Sequence, residues 1–122
     1  MVRIDQTSFF IQSHGKGKFV KIIKDDILYI ESAQNYLQIH ICGYSYVTYL
    51  TIAEVVAVLP EEQFIRVHKS FLVNLKHVNS IDGTSLYLSN TTKIALGRNY
   101  KKGFFDHVNA MLLKSKRYAV AK

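Results

Sequence analysis

The stretch Phe64-Ile65-Arg66-Val67-His68-Lys69-Ser70-Phe71-Leu72-Val73-Asn74 places a histidine, a lysine and a serine inside an apolar run. Alternation sets Arg66 on a different face from Ile65 and Val67, and then the polar triplet interrupts the pattern. Two further clusters have similar chemistry, Gln34-Asn35-Tyr36 and Arg98-Asn99-Tyr100-Lys101-Lys102. Arginine can bridge guanine O6 and N7 in a major groove, and Asn or Gln can do the same for adenine. Lysine, serine and tyrosine hold backbone oxygens. Any one of these clusters is also what a solvated turn looks like. Three of them on one basic chain shift the balance towards nucleic acid.

Competing chemistry is hard to assemble. Gly15-Lys16-Gly17-Lys18 lacks the Gly-Lys-Ser/Thr ending and the strand-loop-helix context of a phosphate-cradling loop, and reads as a hairpin turn. The five histidines, His14, His40, His68, His77 and His107, show no HExxH spacing, and a lone Cys42 cannot anchor a thiolate metal site. No Gly-x-Ser-x-Gly elbow is present, and Ser85 follows the turn Asp82-Gly83-Thr84. The expectation is a non-enzyme with no cofactor and no metal.

The chain has 122 residues, sufficient for one domain with a real core. Hydrophobic residues at 48% and charged residues at 20% are a globular composition. A net charge of +7 favours a polyanionic partner. One cysteine excludes an internal disulfide and fits a reducing compartment. No apolar run approaches a membrane span and no signal-peptide pattern opens the chain, so a cytoplasmic domain without membrane contact is expected.

The elements that must position the clusters are mostly strands. Ser8-Phe9-Phe10-Ile11-Gln12, Phe19-Val20-Lys21-Ile22-Ile23, Ile27-Leu28-Tyr29-Ile30-Glu31, Tyr36 to Ile41 and Tyr44 to Tyr49 are separated by Gly, Asn and Asp turn signals. Leu86-Tyr87-Leu88 and Lys93-Ile94-Ala95-Leu96 follow later. One helix intervenes: Thr51-Ile52-Ala53-Glu54 has capping-box spacing, Ile52, Val55, Val56 and Leu59 form an apolar face, and Pro60 stops it. Phe104, Phe105, Val108, Met111 and Leu112 recur at a helical period, predicting a terminal helix before the basic tail Lys114-Ser115-Lys116-Arg117.

The central stretch resembles the signature of the LytTR domain, a DNA-binding output domain of bacterial response regulators. Asp26-Ile27-Leu28-Tyr29-Ile30-Glu31-Ser32, then Asn35-Tyr36, Leu59-Pro60, Val78-Asn79-Ser80-Ile81 and Leu96-Gly97-Arg98 fall in the family's order around it. The resemblance runs from about Phe9 to Phe105. It implies a mainly β (α+β) fold of elongated antiparallel β-sheets, with a short helix near 52–59, a short turn or helix near 70–74 and a C-terminal helix. The whole of 1–122 is then a single domain, with its core at about 9–105 and 106–122 forming the C-terminal helix and basic tail.

The resemblance further implies sequence-specific binding of double-stranded DNA by loops placed in successive grooves. Asn35 and Tyr36 would approach one major groove and Arg98 the next, with Lys69 over the minor groove between them. Gln34, His68, Ser70, Asn74, Asn99, Lys101 and Lys102 would hold phosphates or brace the loops. Which of Gln34, Asn35 and Tyr36 reads a base stays open. Gly97 stands where the family more often has a small polar residue, which removes a phosphate contact. Two copies on a direct-repeat promoter site and a receiver domain outside this chain complete the expectation. Without the resemblance, an RNA-binding or protein-interaction β module remains open.

Overall fold

A computed structural model describes residues 7–13 and 17–115. The turn expected at His14-Gly15-Lys16 and the Lys116-Arg117 part of the tail lie outside the described residues. Among these described residues ten strands form three antiparallel sheets. The central sheet has five strands, β3 (Ile27–Ala33), β4 (Tyr36–Ile41), β5 (Tyr44–Thr48), β6 (Phe64–His68) and β7 (Phe71–Asn74), in the order β5-β4-β3-β7-β6. A hairpin of β1 (Ser8–Gln12) and β2 (Phe19–Ile23) forms the second sheet. The third joins β8 (Val78–Asp82), β9 (Ser85–Leu88) and β10 (Lys93–Ala95).

Period-2 alternation sends side chains to both faces of the central sheet, so two cores form. On one face Ile30, Ile39, Leu37 and Leu72 pack with Ile11 and Ile22 of the β1–β2 hairpin. Val55 and Leu59 of the first helical segment join them. On the other, Ile65, Val67 and Val73 pack with Leu86, Leu88, Ile94 and Phe104. A bulge between Ile27 and Tyr29 interrupts the alternation of β3, so that Leu28 and Tyr29 both pack in the second core while Ile27 and Ile30 lie in the first.

The two helices differ in detail from the sequence reading. The capping box of α1 forms as its spacing requires: the Glu54 amide donates to the Thr51 hydroxyl at 3.1 Å, and the Thr51 amide donates to the Glu54 carboxylate at 2.8 Å. The helix proper is only Ile52–Val56, because the Val58 amide already bonds one residue short, to the Val55 carbonyl. Val56 is exposed, so the buried stripe is Val55 and Leu59 with Ile52 half-buried. The C-terminal helix α2 (Lys101–Met111) buries Phe104 completely, but Met111 and Leu112 stand out at its end instead of joining the core.

The short turn or helix expected near 70–74 divides three ways. Lys69 and Ser70 turn, Phe71–Asn74 is strand β7, and the helical turn is a 3-10 segment at Leu75–His77. Asn74 causes the displacement: its side chain accepts from the Lys76 amide at 3.0 Å and nucleates the turn after the strand.

Around that turn lies a polar network. The Asp25 carboxylate accepts from Gln63 Nε2 at 2.8 Å and from Lys76 Nζ at 3.1 Å. These contacts hold its pKa below the usual carboxylate value. A depressed folded-state pKa contributes stability above the unfolded value of about 3.9, lost as pH falls through the folded value. In melting curves recorded from pH 6 to pH 2.5, the gap between wild type and Asp25→Asn is expected to close below about pH 4. A constant gap would show that the network contributes nothing through titration. The effect is small, because the pair is half-exposed.

Candidate nucleic-acid interface

The strand order brings all three polar clusters to one end of the central sheet. Gln34 and Asn35 make the two-residue turn joining β3 to β4, with Ala33 paired to Tyr36. Glu31 of β3 pairs with Phe71 of β7, and the Ser32 amide donates to the Ser70 carbonyl at 2.8 Å. The Lys69-Ser70 corner therefore lies beside the Gln34-Asn35 turn. Beyond β6, the Gly97 amide donates to the Val67 carbonyl at 2.7 Å, docking the Gly97-Arg98 segment on the far side of the corner. Lys69 is thus the middle of three tips. The β3–β4 and β6–β7 tips are about two strand spacings, roughly 10 Å, apart, and the Gly97-Arg98 segment lies directly against β6.

Local devices shape each tip. Gln34 adopts φ 52°, a left-handed conformation that a tight hairpin demands and a side chain tolerates poorly. In β6 a bulge sets Val67 and His68 together against Phe71, which re-aims His68 and leaves the Val67 carbonyl to Gly97. A Cβ at Gly97 would lie 3.3 Å from the Tyr100 ring and 3.4 Å from the Val67 carbonyl, so close approach of the two backbones accounts for the small residue. Arg98–Tyr100 is a 3-10 turn leading directly into α2. No side chain caps the start of α2 and no acid lies in its first turn, which leaves the positive end of the helix beside Lys101 and Lys102.

The clusters contain two kinds of side chain. Gln34, Asn35, Lys69, Arg98 and Asn99 are exposed, and among the described residues their side chains make no hydrogen bond or ion pair. Lys101 is likewise exposed and unpaired, whereas Lys102 pairs with Asp106 at 3.2 Å one turn along the helix. Tyr36 and Ser70 are half-buried. His68 is engaged: its Nδ1 accepts from the Ser70 amide at 3.1 Å, which leaves the ring proton on Nε2, and its ring tilts against Phe71. Asn74 lies four residues from Ser70, about 13 Å along β7, and is fully buried. Its Nδ2 donates to the Ile27 carbonyl at 2.8 Å, so it braces the opposite end of the sheet.

Arg66 is the residue that the sequence reading left without a role. Its Nε donates to the His68 carbonyl at 3.1 Å and its Nη2 to the Lys69 carbonyl at 2.5 Å, while its guanidinium lies 5.8 Å over the Tyr100 ring. One planar fork thereby ties the middle tip to the Arg98–Tyr100 turn. The available signal was the Arg-x-His spacing at an edge strand, but nothing in sequence places Tyr100 beside it.

Exposed cations and amides thus lie on turns at one end of the antiparallel sheets, beside the uncapped start of α2. Residues 17–109 match the family model of the LytTr DNA-binding domain, and the chain belongs to that family. It is 29% identical over 82 residues to the sensory transduction protein LytT of Bacillus subtilis and 28% identical over 83 residues to that of Bacillus anthracis. These alignments cover 63% and 64% of this chain but 34% of each relative, so the chain spans about a third of their length. A solved LytTr DNA-binding domain from Bacillus cereus superposes with a TM-score of 0.73 at 17% identity, covering 85% of this chain and 98% of that one. The fold is shared.

Among the described residues no group of three or more His, Cys, Asp and Glu side chains converges as a metal site would, and no helix is long and apolar enough to cross a membrane.

Proposed function

We propose that this domain reads duplex DNA sequence-specifically, as the output domain of a bacterial transcriptional response regulator. The observation that carries the reading is the row of three tips, with free side chains on their outer surface and the bracing side chains turned inward. A minor groove about 6 Å wide separates successive major grooves about 12 Å wide. The order of the tips, with a lone lysine between two clusters that carry Asn or Arg, follows a major–minor–major order along the duplex. The Gln34-Asn35-Tyr36 turn enters one major groove, Lys69 lies over the minor groove, and Arg98 reaches base edges in the next. Ser70, Asn99, Lys101 and Lys102 hold phosphates around them, and His68 sets the corner.

Two copies would occupy a direct-repeat site, and a receiver domain elsewhere in the protein would govern them. The domain would act in the cytoplasm, where the DNA is. Selection from a random duplex pool, with RNA competitor present, tests the reading. Recovery of a short motif, especially a spaced repeat, is the expected result. Recovery of unenriched sequence would leave only electrostatic binding, and loss to the RNA competitor would transfer the function to RNA.

Lys101 separates positioning from reading. Lys101→Ala is expected to weaken specific and random duplexes alike and to flatten the slope of log K against log salt by about one unit. An unchanged slope would remove Lys101 from the phosphate contacts.

A further inference from the structure

The β1–β2 hairpin presents an outer face that the DNA-binding reading does not use. Alternation turns Ile11 and Ile22 into the core and leaves Phe10, Phe19 and Ile23 exposed to 66%, 64% and 50%. In register, Phe10 faces Lys21, Gln12 faces Phe19 and Ser8 faces Ile23. Lys21 is therefore surrounded on one face by Phe10 across the ladder and by Phe19 and Ile23 along its own strand. Among the described residues Lys21 has no ion pair. Single exposed apolar residues are ordinary, but three contiguous ones around a cation form a patch that calls for a partner.

The position of Lys21 selects the partner. Duplex DNA offers phosphates to Lys21 but nothing to three apolar neighbours. A bilayer could take Phe10, Phe19 and Ile23, but the central Lys21 ammonium would then have to snorkel past them to a headgroup, whereas a protein partner can meet it in place. A two-fold pairing centred on this face would set Lys21 against its own copy. A folded partner can instead place one carboxylate at the centre of an apolar surface.

We propose that the outer face of the β1–β2 hairpin docks a protein surface presenting a carboxylate ringed by apolar side chains, with the carboxylate paired to Lys21. The apolar ring supplies the contact and excludes water, and the central ion pair fixes register and rejects basic surfaces.

The test uses two synthetic amphipathic helical peptides, identical except for Glu or Lys at the centre of a leucine face, titrated into 15N-labelled protein. The Glu peptide is expected to shift amides of Ser8–Gln12 and Phe19–Ile23, and the Lys peptide to leave them in place. Lys21→Glu is expected to reverse the preference, by about tenfold or more in each direction. Phe10→Thr weakens binding of the Glu peptide while leaving distant amides and DNA binding unchanged, which shows that the variant is folded. Equal binding of both peptides, no binding, or shifts confined to other residues would overturn the proposal. So would binding to phosphatidylglycerol vesicles, or concentration-dependent self-association, that Phe10→Thr abolishes; these would assign the face to lipid or to a second copy.

Discussion

Replacing Asn74 with alanine is expected to destabilise the domain by about 2–4 kcal/mol, a fall of roughly 6–16 °C in melting temperature. The side chain is fully buried and meets three partners: the Ile27 carbonyl at 2.8 Å, the Lys76 amide at 3.0 Å and Gln63 Nε2 at 3.3 Å. Truncation removes the buried bond to the Ile27 carbonyl, at about 1–3 kcal/mol, while the Lys76 amide loses less because its bond is part-buried and Lys76 is exposed. Gln63 loses less, because it keeps Asp25 at 2.8 Å. Asn74→Asp should be no better, since it keeps the acceptor for Lys76 but faces the Ile27 carbonyl with a second oxygen or a buried charge. Chemical denaturation measures the loss. DNA affinity of the folded fraction, measured at low temperature, should hardly move, because Asn74 lies at the end of β7 remote from the tips. A variant with normal stability but poor DNA binding would reverse this assignment.

Arg98→Ala is expected to weaken binding at the selected site by about 1–3 kcal/mol, or roughly 5- to 150-fold, with a much smaller loss on random duplex. Arg98 is exposed and its side chain has no partner among the described residues, so its removal should not change the melting temperature. Arg66 provides the contrast. Its bonds to the His68 and Lys69 carbonyls and its position over Tyr100 make it a clamp between two tips. Arg66→Ala should lower stability by about 1–2 kcal/mol and blur site preference through misplaced tips, and Arg66→Lys should not restore either property, because an ammonium cannot reproduce the fork. If Arg98→Ala lowered specific and random binding equally, Arg98 would be a phosphate contact.

The face around Lys21 depends on none of this. DNA reading rests on the tips of the central sheet, whereas Phe10, Phe19 and Ile23 lie on the separate two-stranded sheet. The two proposals can therefore fail separately.

Sequence alone determined those features whose causes are local. Strands such as Tyr36–Ile41 follow from period-2 alternation, and the start of α1 follows from a hydroxyl and a carboxylate three residues apart. The polar clusters and their exposure were legible because turns between apolar runs face water. Helix length was less legible: α1 ends at Val56 because the backbone tightens before Pro60, and Val56 and Met111 show the right period yet find no facing surface. Only the tertiary structure decided which polar residues are free and which are engaged. Arg66 and Arg98 are chemically alike, and Asn74 and Asn99 are both plausible donors to DNA. The difference lies in partners distant in sequence: Asn74 meets Ile27 across 47 residues, while Arg66 lies over Tyr100 only because Gly97 can approach the Val67 carbonyl. Chain pattern encodes the conformation of a segment and the face it buries. Which segments become neighbours, and hence which donors remain for a ligand, depends on how the sheets pack.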